Sequence, residues 1–118
     1  KGMVTVKLFR DSKGQITGFE VRGHAGFAPE GQDIVCAGVS MVAQTAVIGL
    51  IRHLSIRPRF EKERGFLICS LPAGLAGSEM EKAQVILTTL EEGLVALETS
   101  YPEYVRVVRQ GGVNSVQD

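Results

Sequence analysis

Net charge is the first thing this chain lacks. Thirteen Lys and Arg balance thirteen Asp and Glu in 118 residues. That excludes nucleic-acid affinity built on bulk positive charge and leaves room only for a local basic patch. Cysteine and histidine are scarce too, at two each. Cys36 and Cys69 form neither a CxxC pair nor a disulfide framework, so a reducing cytosol fits best. No short His/Cys spacing suggests a zinc site, and no metal is expected. The glycines of residues 23 to 31 spell neither a P-loop nor a dinucleotide fingerprint, so no cofactor is expected either. Repeats and low-complexity segments are absent. No secretory pattern opens the chain, because Lys1-Gly2-Met3 leads straight into alternation, with Met3 read as a natural start.

The composition is that of one ordinary globular domain, 44% hydrophobic and 22% charged. Val4, Val6 and Leu8 alternate with Thr5, Lys7 and Phe9, a period-2 strand pattern. After the turn cluster Asp11-Ser12-Lys13-Gly14, residues 16–23 read as a second strand, hairpin-paired with the first. Residues 59–63 and 66–71 read as two more strands around an Arg64-Gly65 turn, and residues 104–108 as a fifth. The element order β-β-α-β-β-α-β predicts an α+β domain over residues 1–109, a largely antiparallel sheet of about five strands packed with two long helices. Residues 110–118 read as a mobile tail.

The first helix is predicted from Ile34 to about Leu54. Ile34–Ile51 carries no charge, and its length is near the lower limit for a membrane span. Ser40, Gln44 and Thr45 interrupt that run, and Gly38 and Gly49 weaken it. A helix buried on most faces, clasped by the sheet and second helix or by another subunit, fits better. For the second helix, Ser78 and Glu81 suggest a capping box. Behind them Met80, Ala83, Leu87, Leu90, Leu94, Leu97 and Tyr101 form one apolar stripe, and Pro102 ends it.

The most informative segment lies between these patterns. His24 ends the second strand, a Gly/Pro-bearing loop fills residues 25–32, and Asp33 opens the first helix with Cys36 in its first turn. This packaging can bring an imidazole beside a thiol. A helix N-terminus favours a thiolate, and a thiolate with a nearby base can act as a nucleophile. Asp33 is a good N-cap, yet its charge opposes the thiolate, and sequence leaves that sum open. Cys36, Ser40 and Gln44 lie roughly along one helix face, which suits a cleft wall, although Ser40 could simply bond back to the carbonyl of Cys36. Gly26 and Gly31 bracket Phe27-Ala28-Pro29-Glu30, a loop able to close over a bound peptide. Phe27 would touch an apolar substrate side chain there, or else pack against the sheet. Plain readings also exist for the pair itself, Cys36 as a small buried hydrophobe and His24 as a strand-end histidine bound to backbone. The residues alone leave both readings open. Cys69 falls mid-strand and reads as inert core. His53 falls on the order of 25 Å from Cys36 along a continuous helix, at about 1.5 Å per residue, so within one subunit it cannot serve that thiol.

Gly23-His24-Ala25, the glycine-bearing loop, Asp33-Ile34-Val35-Cys36-Ala37, Val39-Ser40, Gln44-Thr45 and Gly49-Leu50 together resemble the ribosomal-processing cysteine protease family of bacteria. Gly38 stands where that family more often has alanine. The resemblance implies a cysteine endopeptidase with His24 as base and Cys36 as nucleophile, supported by Gly23, Asp33 and Ser40. It implies a substrate, the N-terminal extension of a large-subunit ribosomal protein (number twenty-seven), removed during ribosome maturation. It also implies a homodimer; the cysteine usage, balanced charge and interrupted apolar run add a cytoplasmic location without direct nucleic-acid or membrane partners. Oxyanion donors would include the Cys36 N–H and neighbouring loop amides. Two other readings of the residues are a non-catalytic ribosome-assembly binding module and a thiol-dependent redox or acyl-transfer enzyme.

Overall fold

Alternation and helical stripes condense into a five-stranded sheet carrying two helices on one face. The computed structural model describes residues 2–29 and 31–111. The elements are β1 (Val4–Arg10), β2 (Ile16–Arg22), α1 (Ile34–His53), β3 (Arg59–Glu63), β4 (Phe66–Ser70), α2 (Gly77–Ser100) and β5 (Val105–Gly111). The expected α+β class and element order are therefore found. The sheet runs β3-β4-β2-β1-β5. It is mixed: β5 joins β1 in parallel, and every other pairing is antiparallel.

The period-2 pattern decides which face is inner. Val6 pairs with Val21 and Val107, Leu8 with Phe19, and Phe19 with Cys69. Val4, Val6, Leu8, Phe19, Leu67, Cys69, Val105 and Val107 are buried beneath the helices. A one-residue slip would turn this whole set outward, so burial fixes the register. Thr5, Lys7, Glu20 and Ile68 lie on the other face.

The two helices run antiparallel and close together, with glycines at the contact and the tightest approach at Gly38 and Gly93. A Cβ on Gly38 would stand 3.3 Å from Leu97 Cδ2, one on Gly93 3.3 Å from Val42 Cγ1, and one on Gly49 3.5 Å from Ile86 Cδ1. From α1, Val35, Val39, Ala43, Ala46, Val47 and Leu50 are buried. α1 is long and apolar enough to cross a membrane by length and composition, but here this stripe makes it the core helix of a packed domain. From α2, Ala83, Leu87, Leu90 and Leu94 are buried, the middle of the predicted stripe. Glu91 ties α2 to β1 through Arg10 at 2.7 Å and to the edge strand β5 through Arg109 at 3.0 Å.

Two local expectations change. The Ser78/Glu81 capping box does not form, because α2 starts at Gly77 with Ala76 as N-cap and no side-chain cap. Ser78 is thus already inside the helix. Glu79 instead accepts from the backbone N–H and hydroxyl of Ser55, both at 2.6 Å, tying the two helix ends together. At the C-terminus, Gln110 and Gly111 belong to β5 rather than to a tail. The rest of the expected tail, 112–118, lies outside the described residues.

Candidate active site

The site is built where β2 leaves the sheet and α1 begins. Gly23 turns the chain with φ 98°, and a Cβ there would fall 2.5 Å from the Met3 carbonyl oxygen. Its N–H donates to the Gly65 carbonyl at 2.9 Å, one step beyond the β2–β4 ladder. His24 then projects into the open, while Ala25 is fully buried and roots the loop. The Ala25 N–H donates to Cys36 Sγ at 3.1 Å. The residue after the histidine is therefore bonded directly to the sulfur.

Asp33 holds both ends of this arrangement. Its Oδ1 accepts from Val35 N and Cys36 N, each at 3.0 Å, as the expected N-cap. Its Oδ2 accepts from Phe27 N at 3.0 Å. Both oxygens are thus committed to backbone, which makes Asp33 a clamp between loop and helix. The Cys36 N–H, expected as an oxyanion donor, is taken by this clamp.

The electrostatic sum that sequence left open resolves towards a raised thiol pKa. Burial is the largest influence on Cys36 and pushes its pKa up, and Asp33 adds to that through a hydrogen bond and its charge. The N–H groups of Ala25 and Gly26 pull the other way without prevailing. For Asp33, burial alone would raise the pKa, but hydrogen bonds led by the Cys36 and Phe27 N–H groups hold its carboxyl below the usual range.

His24, Cys36 and Ser40 together line two adjoining cavities, of about 180 and 430 Å³. Gly26, Gly31 and Asp33 line the larger one. Ser40 Oγ accepts from Gln44 Nε2 at 2.6 Å, so the polar line along α1 is bonded within itself. Phe27 is not in either lining. Its ring meets Tyr101 and Tyr104 edge-on, with centroids 5.8 and 5.2 Å away. These contacts pin the loop tip to the end of α2, while the Phe27 side chain stays 40% exposed. Cys69 is buried in β4, where burial pushes its thiol up to about 11. His53 sits in the last turn of α1, at the far end of that helix from Cys36. Among the described residues, no three His, Cys, Asp or Glu side chains converge as a metal site would require.

Sequence reasoning missed the β3–β4 hairpin as part of the site. Lys62, Glu63 and Gly65 line the smaller cavity and Arg64 the larger. The Arg64-Gly65 turn was visible in sequence, but nothing local linked it to His24.

These features define a small α+β domain that presents a half-buried thiol, at a helix start, to a cleft that an imidazole also lines. The profile of the family described as Cysteine protease Prp matches residues 3–106. The ribosomal processing cysteine protease Prp of Bacillus subtilis is 32% identical over 107 residues, covering 89% of this chain and 96% of that protein. Its counterpart in Staphylococcus aureus is 33% identical over 108 residues, covering 89% and 97%. The chain belongs to the Prp family of cysteine proteases. In three dimensions it is similar to the essential ribosomal processing protease Prp of S. aureus in complex with a covalently linked product peptide, with TM-score 0.82, 30% identity and coverage of 92% and 100%. The same S. aureus protease with a substrate peptide gives TM-score 0.76 at 29% identity, with the same coverage.

Proposed function

We propose that this chain is a cytoplasmic endopeptidase that removes the N-terminal extension of a large-subunit ribosomal protein (number twenty-seven) during ribosome maturation. Cys36 is the nucleophile and His24 the base. The observation that carries this reading is the 3.1 Å bond from Ala25 N–H to Cys36 Sγ. It places the sulfur against the residue that follows His24, at the wall of cavities both side chains share.

In the reaction, His24 takes the proton from the Cys36 thiol, and the thiolate attacks the scissile carbonyl carbon. The carbonyl electrons move onto oxygen. The Ala25 and Gly26 N–H groups, already turned to the sulfur, are the donors that meet this charge. As the intermediate collapses, the C–N bond breaks and imidazolium His24 protonates the leaving amine. A thioester remains on Cys36. Water, deprotonated by His24, then releases the acid and restores the thiol. A thiol whose pKa is raised suits this sequence, because a base is then needed to form the thiolate. Gly23, Asp33 and Ser40 support the site, Gly23 by turning the chain, Asp33 by clamping the loop and Ser40 by lining the cleft.

The extended ribosomal protein, incubated with this chain, should lose its extension as read by mass spectrometry. A product mass that never appears, at enzyme and substrate concentrations where the S. aureus relative cleaves, rejects the substrate assignment.

The functional unit in this reading is a homodimer. Ile34, Met41 and Ile48 recur every seven residues on α1 and are 60%, 59% and 55% exposed. A charge-free seam at that period is how one helix packs against another, and a second copy supplies it. Met41→Glu should convert a sedimenting dimer to monomer. A wild-type chain that sediments as a monomer at micromolar concentration refutes the dimer.

A further inference from the structure

We infer that Gly65, at the tip of the β3–β4 hairpin, is a positioning residue for the His24 imidazole. The inference rests on the Cys36/His24 reading and extends it to a residue remote in sequence. Gly65 has φ 74°, a left-handed conformation that favours glycine. A Cβ there would stand 2.8 Å from His24 Nε2, 3.3 Å from Cε1 and 3.5 Å from Cδ2. Unstrained contacts between carbon atoms run roughly 3.5–4.0 Å. The ring thus lies across the bare glycine backbone, and any side chain would claim its place.

The same two segments are tied by backbone. Gly65 O accepts the Gly23 N–H at 2.9 Å, so the peptide leading into His24 and the seat beneath its ring move as one. Gly65 also lines the cavity shared by His24 and Cys36. The hairpin therefore sets the height and tilt of the imidazole over the cleft, and through them which ring atoms face the sulfur. Reaction geometry tolerates little displacement, since a misplacement near 1 Å can cost about 100-fold in rate.

The clash in Gly65→Ala falls on the far end of an exposed side chain, not on backbone, so the variant folds and the imidazole gives way. Gly74 provides the control. Its φ is 73°, yet a Cβ there meets nothing within 4 Å. Gly74→Ala carries the same backbone strain without touching His24.

The experiment compares the two variants with wild type by melting temperature, by kcat and KM on the extended ribosomal protein, by the pH profile of kcat/KM, and by the NMR resonances of the His24 ring. Both variants should melt lower by similar amounts. Gly65→Ala alone should lose at least tenfold in kcat with KM within twofold, shift the acid limb of the pH profile, and move the His24 resonances. Wild-type kcat with unmoved resonances in Gly65→Ala overturns the inference, as does an equal kcat loss in Gly74→Ala. Full activity in His24→Ala would refute the catalytic reading instead, and the ring resonances would still report whether Gly65 seats the imidazole.

Discussion

Cys36 and Cys69 are the same side chain in two surroundings, and both thiols are harder to ionise than a free one. For Cys69 burial is the cause, and the residue is only 1% exposed. For Cys36 burial also leads, but a carboxylate and two amide donors compete over the sulfur, and the group borders two cavities. Placement at a helix start did not by itself lower the Cys36 pKa. The first-turn N–H groups of Val35 and Cys36 are given to Asp33 rather than to the sulfur. The two thiols differ in access: Cys36 borders two cavities that His24 also lines, whereas Cys69 is buried.

Alanine at each position breaks the comparison most sharply. Cys36→Ala should lower kcat/KM by roughly 10³-fold or more, because a nucleophile cannot be replaced by its supporting groups. Cys69→Ala should keep its kcat and cost about 1 kcal/mol of stability from lost packing. Peptide cleavage and urea melts read both. Retained activity in Cys36→Ala would remove the nucleophile assignment.

Alkylation sharpens the same contrast with a smaller effect. In the folded protein iodoacetamide should modify Cys36 on the order of tenfold faster than Cys69, and denaturation should level the two. The rate at Cys36 should climb with pH beyond the range of an ordinary thiol, because its pKa is raised. Asp33→Asn removes the nearby negative charge and should raise the neutral-pH rate at Cys36. Unchanged labelling in that variant would mean that Asp33 does not govern the thiol.

The smallest effect is on stability. Asp33→Ala should cost about 0.5–2 kcal/mol as a lost N-cap. The Asp33 carboxyl lies below its ordinary value of 3.8 in the fold, so its stabilisation is present above that pH and is lost as pH falls through the folded value. The penalty of Asp33→Ala should therefore shrink in acid, as measured by urea melts between pH 7 and pH 3. A penalty constant across that range would mean that the carboxylate charge contributes nothing.

Much of this architecture was legible because it is local. Alternation over Val4–Leu8 needs only a pleat with one buried face, and the stripe through Leu87 and Leu94 needs only a helix against a core. Asp33 reads as a cap because its partners lie two and three residues ahead. The same reasoning failed at Ser78. A capping box marks where a helix can begin, but the contact of Glu79 with Ser55 favours an earlier start. Phe27 was ambiguous for a related reason, since its aromatic partners, Tyr101 and Tyr104, come from the opposite end of the chain.

By itself the sequence determined the element types, the inner face of each strand, the Asp33 cap and the choice of His24 and Cys36 as the pair worth watching. Each of these depends on residue type and spacing within a few turns or pleats. Tertiary structure decided the parallel pairing of β1 with β5, the bond from Ala25 to the sulfur, the upward push on the Cys36 thiol and the seat that Gly65 gives to His24. Those depend on which strand lies beside which and on how deeply a group is buried, and no local pattern encodes either one.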